Sequence, residues 1–91
     1  MEELFAEILV TGKVQGIFYR AHTKRFALEL GLKGYVKNLE DGSVKIVVCG
    51  PKNLIKELEL WCKQGPKLAN VKNVQIQYTK PTEEFTTFER R

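Results

Sequence analysis

The order in which hydrophobic periodicities follow one another restricts the fold of this chain more than any other feature. From Phe5 to Val14, residues Ala6, Ile8 and Val10 alternate with Glu7 and Leu9, the two-residue repeat of a strand with one strongly apolar face. From Ala21 to Leu30 the repeat lengthens. Thr23, Phe26, Ala27 and Leu30 fall at helical spacing, Lys24 and Glu29 lie off that stripe, and Gly31 supplies a terminator. Gly34 to Asn38 reads as a short second strand. LEDGS follows as a turn, its Asp41-Gly42 pair providing the positive-φ residue that a tight hairpin needs. Val44, Ile46 and Val48 alternate with Ser43, Lys45 and Val47 in a third strand that ends at Cys49-Gly50. Pro51 suits the first turn of a second helix, whose stripe of Leu54, Ile55, Leu58, Trp61 and Cys62 marks a buried face. Gln64-Gly65-Pro66 stops it, and a loop from Lys67 to Asn70 leads to a fourth strand, where Val74, Ile76 and Tyr78 alternate with Gln75 and Gln77. After Pro81, Phe85 to Phe88 is expected to form a short fifth strand.

The order is thus strand, helix, strand, strand, helix, strand. Two halves each begin with an apolar strand ending in Gly, VTG at 10–12 and VCG at 48–50, as in the split βαβ repeat of ferredoxin-like folds. The expected fold is α+β: an antiparallel sheet with both single-striped helices on one face. The other face is left open to water, so that Lys45, Gln75 and Gln77 can alternate outward. The 91 residues are expected to form one domain, 1–91, since a chain of this length buries somewhat over ~60% of its unfolded surface and can fold around one core.

Composition narrows the functional classes. With 43% hydrophobic and 29% charged residues, the chain belongs with soluble globular proteins. No apolar run approaches the ~20 residues needed to span a bilayer, and the acidic start MEELFAEILV lacks the basic region of a signal peptide. No membrane association and a cytoplasmic location are therefore expected. Cys49 and Cys62 are the only cysteines. They read as buried free thiols in a reducing compartment, not as a disulfide scaffold. The net charge of +4 is compatible with nucleic acid, with a small acidic substrate or with solubility alone. The basic residues are scattered among Glu and Asp and form no tail, so no nucleic-acid partner is expected. Nothing requires more than a monomer.

The stretch GKVQGIFYR at 12–20 places flexible backbone and a fixed positive charge between a strand and a helix. Gly12 and Gly16 permit positive φ and close approach of another group to the main chain. Successive N–H groups in such a turn can converge into an anion-binding nest, and the unpaired N–H groups of the helix start add a partial positive charge. Arg20 brings a planar fork matched to two phosphate oxygens. A glycine-containing strand-to-helix turn is common, however, and an Arg at a helix start is more often solvated. The loop alone leaves both readings open. It is not a Walker loop, since the Gly-Lys-Ser/Thr ending is missing.

A second stretch, GYVKNLEDGSVKIVVCG at 34–50, shifts that balance. G-x-V-Q-G-[IV]-x-[FY]-R at 12–20 and G-[YFW]-V-K-N-x-x-x-G-x-V-x-x-x-x-x-G at 34–50 together resemble the two signature motifs of the acylphosphatase family. GLKGY at 31–35 and GPKLANVKNV at 65–74 are also similar to family sequence, so the resemblance covers essentially the whole chain. Two departures stand out. Ile17 occupies a position where Val is usual, and the terminal TFERR lacks the aromatic ending that many members carry.

The resemblance implies a ferredoxin-like βαββαβ fold and hydrolysis of the carboxyl-phosphate bond of small acyl phosphates, with no metal, no cofactor and no covalent phosphoenzyme. Carried over residue by residue, Arg20 would bind the phosphoryl group. The main-chain N–H groups of Gln15, Gly16, Ile17, Phe18 and Tyr19 would line the cradle, and Asn38 would orient the attacking water. The inventory permits this chemistry. The leaving carboxylate has a conjugate acid of pKa about 4 and departs without a general acid, so positioning and electrostatics can supply most of the catalysis. The Asn38 amide oxygen can accept a proton from water and hold it in line. A site gripping only the phosphoryl end is expected to accept a broad range of acyl groups.

Other residues take ordinary readings. His22 reads as a solvated helix-start residue, Asp41 as turn chemistry and Trp61 as core. Phe18 and Tyr19 are expected to anchor the loop from beneath. Tyr35 can lie beside the site or on the open sheet face. One His and two scattered Cys offer no zinc set. The competing reading is a non-catalytic ferredoxin-like module that binds phosphate, another anion or RNA. An RNA-recognition sheet carries aromatics on a central strand, and SVKIVVCG has none.

Overall fold

The computed structural model describes residues 3–81 and 83–91. Alternating apolar residues build β1 (Glu3–Lys13), β2 (Lys33–Asn38), β3 (Val44–Pro51) and β4 (Asn70–Thr79), with α1 (Tyr19–Glu29) after β1, α2 (Lys52–Gln64) after β3, and a short β5 (Phe88–Arg90). The strands form one sheet in the order β4-β1-β3-β2-β5. Its first four strands pair antiparallel, Ile8 standing beside both Ile46 and Ile76. Ala6, Ile8, Val10, Val36, Val44, Ile46 and Val48 are fully buried, and they share the core with Ala27 of α1 and Ile55, Leu58 and Cys62 of α2. Both helices therefore cover the same face, as their single apolar stripes require.

Several expectations are corrected. β5 runs parallel to β2, with Gly34 beside Phe88 and Val36 beside Arg90, so the five-stranded sheet is mixed. It spans Phe88–Arg90 instead of Phe85 to Phe88. Helix α1 begins at Tyr19, two residues earlier than its apolar stripe indicated. Pro51 stands outside α2 as its N-cap, in extended conformation (φ −63°, ψ 143°). The C-terminus of α1 closes as foreseen at Gly31. The Gly31 N–H donates to Leu28 O (3.0 Å) and the Leu32 N–H to Ala27 O (2.9 Å), the paired bonds of a Schellman motif.

Sheet order explains the route of the chain after β4. β4 and β5 occupy opposite edges, four strand spacings or roughly 19 Å apart, and residues 80–87 join them. This connection passes over the face away from the helices. Phe85 packs there on Phe5 (ring centroids 6.3 Å apart) and Tyr35 (5.9 Å). That contact places Tyr35 on the outer face, beneath the Arg91 guanidinium at 4.1 Å. The face is thus only partly open: Val47 and Cys49 are buried on it, while Lys45 pairs with Glu7 at 3.8 Å and Gln75 and Gln77 are exposed. Cys49 and Cys62 are both free and buried.

Candidate active site

β1, β2 and β5 all run in one direction, antiparallel to β3, so their C-terminal ends emerge on one side of the sheet. The 12–20 loop leaves β1 there, Asn38 ends β2, and Arg90 ends β5. Together with the first turn of α1 they enclose a cleft of about 260 Å³, lined by Val14, Gly16, Phe18, Arg20, Asn38 and Arg90 among others, with no Asp or Glu side chain lining it among the described residues. The structure thus brings Arg20 and Asn38 to one cavity.

The two loop glycines do different things. Gly12, at φ 120°, lies where the β1–β4 register slips, and a Cβ there would strike the main chain of Asn70 and Lys72. The group that approaches it closely is β4 itself. Gly16, at φ 76°, has open space where its Cβ would stand, and it borders the cleft.

Phe18 is the N-cap of α1 in left-handed conformation (φ 64°, ψ 21°) and makes no side-chain capping bond. That backbone costs a bulky residue about 1–3 kcal/mol. Its side chain is 75% exposed, so Phe18 forms a wall of the cleft and does not anchor the loop. Tyr19 alone does that. It is 1% exposed, its ring packs at a tilt against Trp61 (centroids 5.4 Å apart), and its hydroxyl donates to Cys62 O at 2.8 Å. Burial pushes the Tyr19 phenol well above its usual range and holds it as a donor. Trp61, half-buried, also stacks on Phe26 (5.7 Å).

An apolar cap has an electrostatic consequence. Helices usually carry Ser, Thr, Asp or Asn at this position, whose oxygen occupies the first-turn N–H groups, or a carboxylate in the first turn. Helix α1 has neither. None of the main-chain N–H groups from Gln15 to Ala21 donates to a protein oxygen among the described residues. A bent loop and a bare helix start thus present a run of free donors beside Arg20.

The positions of the predicted residues are unequal. Ile17 is half-buried and packs against the core. Gln15 sends its side chain away from the cleft: Nε2 donates to Leu39 O (2.8 Å) and Ser43 O (2.9 Å), fastening the loop to the β2–β3 turn. That turn is built as the sequence indicated. Gly42 sits at φ 93°, and Asp41 Oδ1 accepts from the Ser43 N–H at 3.0 Å and from its hydroxyl. These two bonds hold the Asp41 carboxyl below its usual range. Arg20 Nη1 donates to Arg91 O at 2.8 Å, which orients the guanidinium and leaves its other N–H groups available. Asn38 shares the helix-covered face with Val36, and its Oδ1 is the one buried side-chain polar atom without a hydrogen-bond partner among the described residues. Buried acceptors are rarely left this way unless another molecule completes them. His22 is exposed. No three His, Cys, Asp or Glu side chains converge among the described residues.

Arg90 is the cleft residue that sequence reasoning missed. Strand parity was the available signal. Phe88 faces the core, so Arg90, two residues on, returns to the same face at the strand end. Reading the strand as Phe85 to Phe88 stopped that count too early.

Comparison with known proteins bears on the family and the fold. A family model described as Acylphosphatase matches residues 6–90. A curated protein of Marinobacter nauticus named Acylphosphatase is 51% identical over 81 residues, covering 89% of this chain and 88% of its own length. The solved structure of an acylphosphatase from Coxiella burnetii superposes with a TM-score of 0.92 at 39% identity, covering 98% of this chain and 93% of that one. The crystal structure of acylphosphatase from Bacillus subtilis gives 0.92 at 30% identity, over 97% and 98%.

Proposed function

Because the chain belongs to the acylphosphatase family, we propose that this cleft hydrolyses acyl phosphates to a carboxylate and inorganic phosphate through Arg20, the 15–19 loop and Asn38. The observation that carries the assignment of roles is that Arg20, Asn38 and the donor-rich start of α1 line one cavity. The phosphoryl oxygens meet the Arg20 fork and the free N–H groups of the loop and helix start, a fixed arrangement that stabilises spreading negative charge without reorganisation. The main-chain oxygen of Arg91 holds Arg20 in place, so little rotamer freedom is lost on binding. The Asn38 amide oxygen accepts a hydrogen bond from the nucleophilic water and so aims the water at phosphorus. Asn38 is a poor base, and the water's proton passes to a phosphoryl oxygen of the substrate. The carboxylate leaves unprotonated, because its conjugate acid has a pKa of about 4 and needs no general acid.

The deciding experiment is hydrolysis of benzoyl phosphate in EDTA by wild type and by Arg20→Gln. Metal-free turnover that falls by about 10³ or more in the variant supports the reading. A folded wild type without turnover refutes it and leaves an anion-binding module.

A further inference from the structure

Resting on the hydrolysis proposed above, we infer that Arg90 recognises the acyl end of the substrate and selects acyl phosphates whose acyl part carries a second anionic group. Parallel pairing sets Arg90 beside Val36, one inward-facing position before Asn38 on the neighbouring strand, and its side chain lines the cleft. Its neighbour Arg91 turns to the outer face, where Glu83 (3.1 Å), Glu89 (3.3 Å) and the Tyr35 ring hold it. Arg90 has no carboxylate within ion-pair distance among the described residues. An exposed arginine facing this cleft, with no side-chain ion pair among the described residues, brings a cation to its wall.

The phosphoryl group does not need it. The cradle already offers Arg20 and the free N–H groups from Gln15 to Ala21, more donors than three oxygens can use. The cleft also has room beyond that group: about 260 Å³ equals roughly nine water volumes, more than a phosphoryl group of four heavy atoms fills. The remaining space, walled by Phe18 and Arg90, suits a short acyl chain ending in an anion. This narrows the broad acyl range expected from a site that grips only phosphate.

The test compares benzoyl phosphate, neutral at its acyl end, with succinyl phosphate, which ends in a carboxylate. Both are assayed in EDTA at low ionic strength with wild type, Arg90→Gln and Arg90→Lys, after circular dichroism has verified folding. The succinyl-to-benzoyl ratio of kcat/KM should fall about fivefold in Arg90→Gln, chiefly through KM. Arg90→Lys should restore most of it, and added salt should erode it in wild type. An unchanged ratio overturns the inference. So does inhibition by inorganic phosphate that weakens as much as succinyl phosphate binding, for that places Arg90 on the phosphoryl group. Turnover of benzoyl phosphate with a ratio independent of Arg90 defeats the acyl-end assignment alone, whereas no turnover of either substrate by wild type defeats the hydrolytic reading and this inference with it.

Discussion

Replacing Tyr19 by Phe isolates the bond that pins the cradle to the core. The Cys62 carbonyl lies in the last turn of α2, and its helical donor would be residue 66, a proline without an N–H. The Tyr19 hydroxyl supplies the missing donor at 2.8 Å. Phe preserves the ring, its volume and its tilted contact with Trp61, so no cavity term enters. What is lost is one hydrogen bond, and a buried carbonyl is left unpaired, at a cost of about 1–3 kcal/mol. For a domain of this size that lowers Tm by roughly 5–15 °C. Urea unfolding followed by circular dichroism should show a lower midpoint with an unchanged m value. The exposed Tyr78→Phe serves as reference and should stay within about 0.5 kcal/mol. Because Tyr19 directly precedes Arg20 and its N–H belongs to the free run, the KM for benzoyl phosphate should rise in the variant even where it is fully folded. A loss of stability below about 0.5 kcal/mol would show that the Cys62 carbonyl finds another donor, and the reasoning would fail.

Three further perturbations probe independent parts of the site. Asn38→Asp should be slower than wild type and less inhibited by inorganic phosphate, because it adds negative charge where phosphate binds; a faster variant would rule out proton acceptance by the substrate. Gly12→Ala should destabilise by more than about 3 kcal/mol, since main chain of β4 fills the space, whereas Gly16→Ala should cost only the ~1–2 kcal/mol of its left-handed backbone; equal losses in chemical denaturation would contradict the distinction. Burial pushes the Cys62 thiol up to about 12, whereas an unfolded thiol titrates near ~8.5. The folded pKa is raised, so this contribution is fully present below the unfolded value and is lost as pH rises towards the folded one. Urea midpoints should fall across that alkaline window, with a shallower slope in Cys62→Ala; parallel slopes would remove the thiol from the account.

What was legible in the sequence is what local periodicity encodes. Ala6, Ile8 and Val10, like Ile55, Leu58 and Cys62, declare a buried face because one repeat persists long enough to be counted. The two halves and the motif residues then place Arg20 and Asn38 at the same end of the sheet. What escaped depended on partners remote in sequence. Phe85 and Phe88 read as one strand, but the first lies on the outer face over Phe5 and Tyr35 and the second enters the core. Phe18 and Tyr19 both look like anchors, yet adjacent side chains at a helix start diverge, and only Tyr19 points inward. Gln15 was assigned for its N–H, whereas its side chain bridges to Leu39 and Ser43. No periodicity announces such a tie.

The parallel docking of β5 has a kinetic consequence. Arg20 is held by a residue 71 positions away, and Phe5 of β1 pairs with Thr79 of the neighbouring β4. Loop closure of that span must precede any reward, which makes such a topology a slow folder. A refolding chain can regain most of its circular dichroism from β1 to β4 and the helices before residues 88–91 reach the edge of β2. Catalytic recovery then reports the arrival of that last strand. Enzyme activity lagging behind secondary structure in a single refolding experiment would time the step directly.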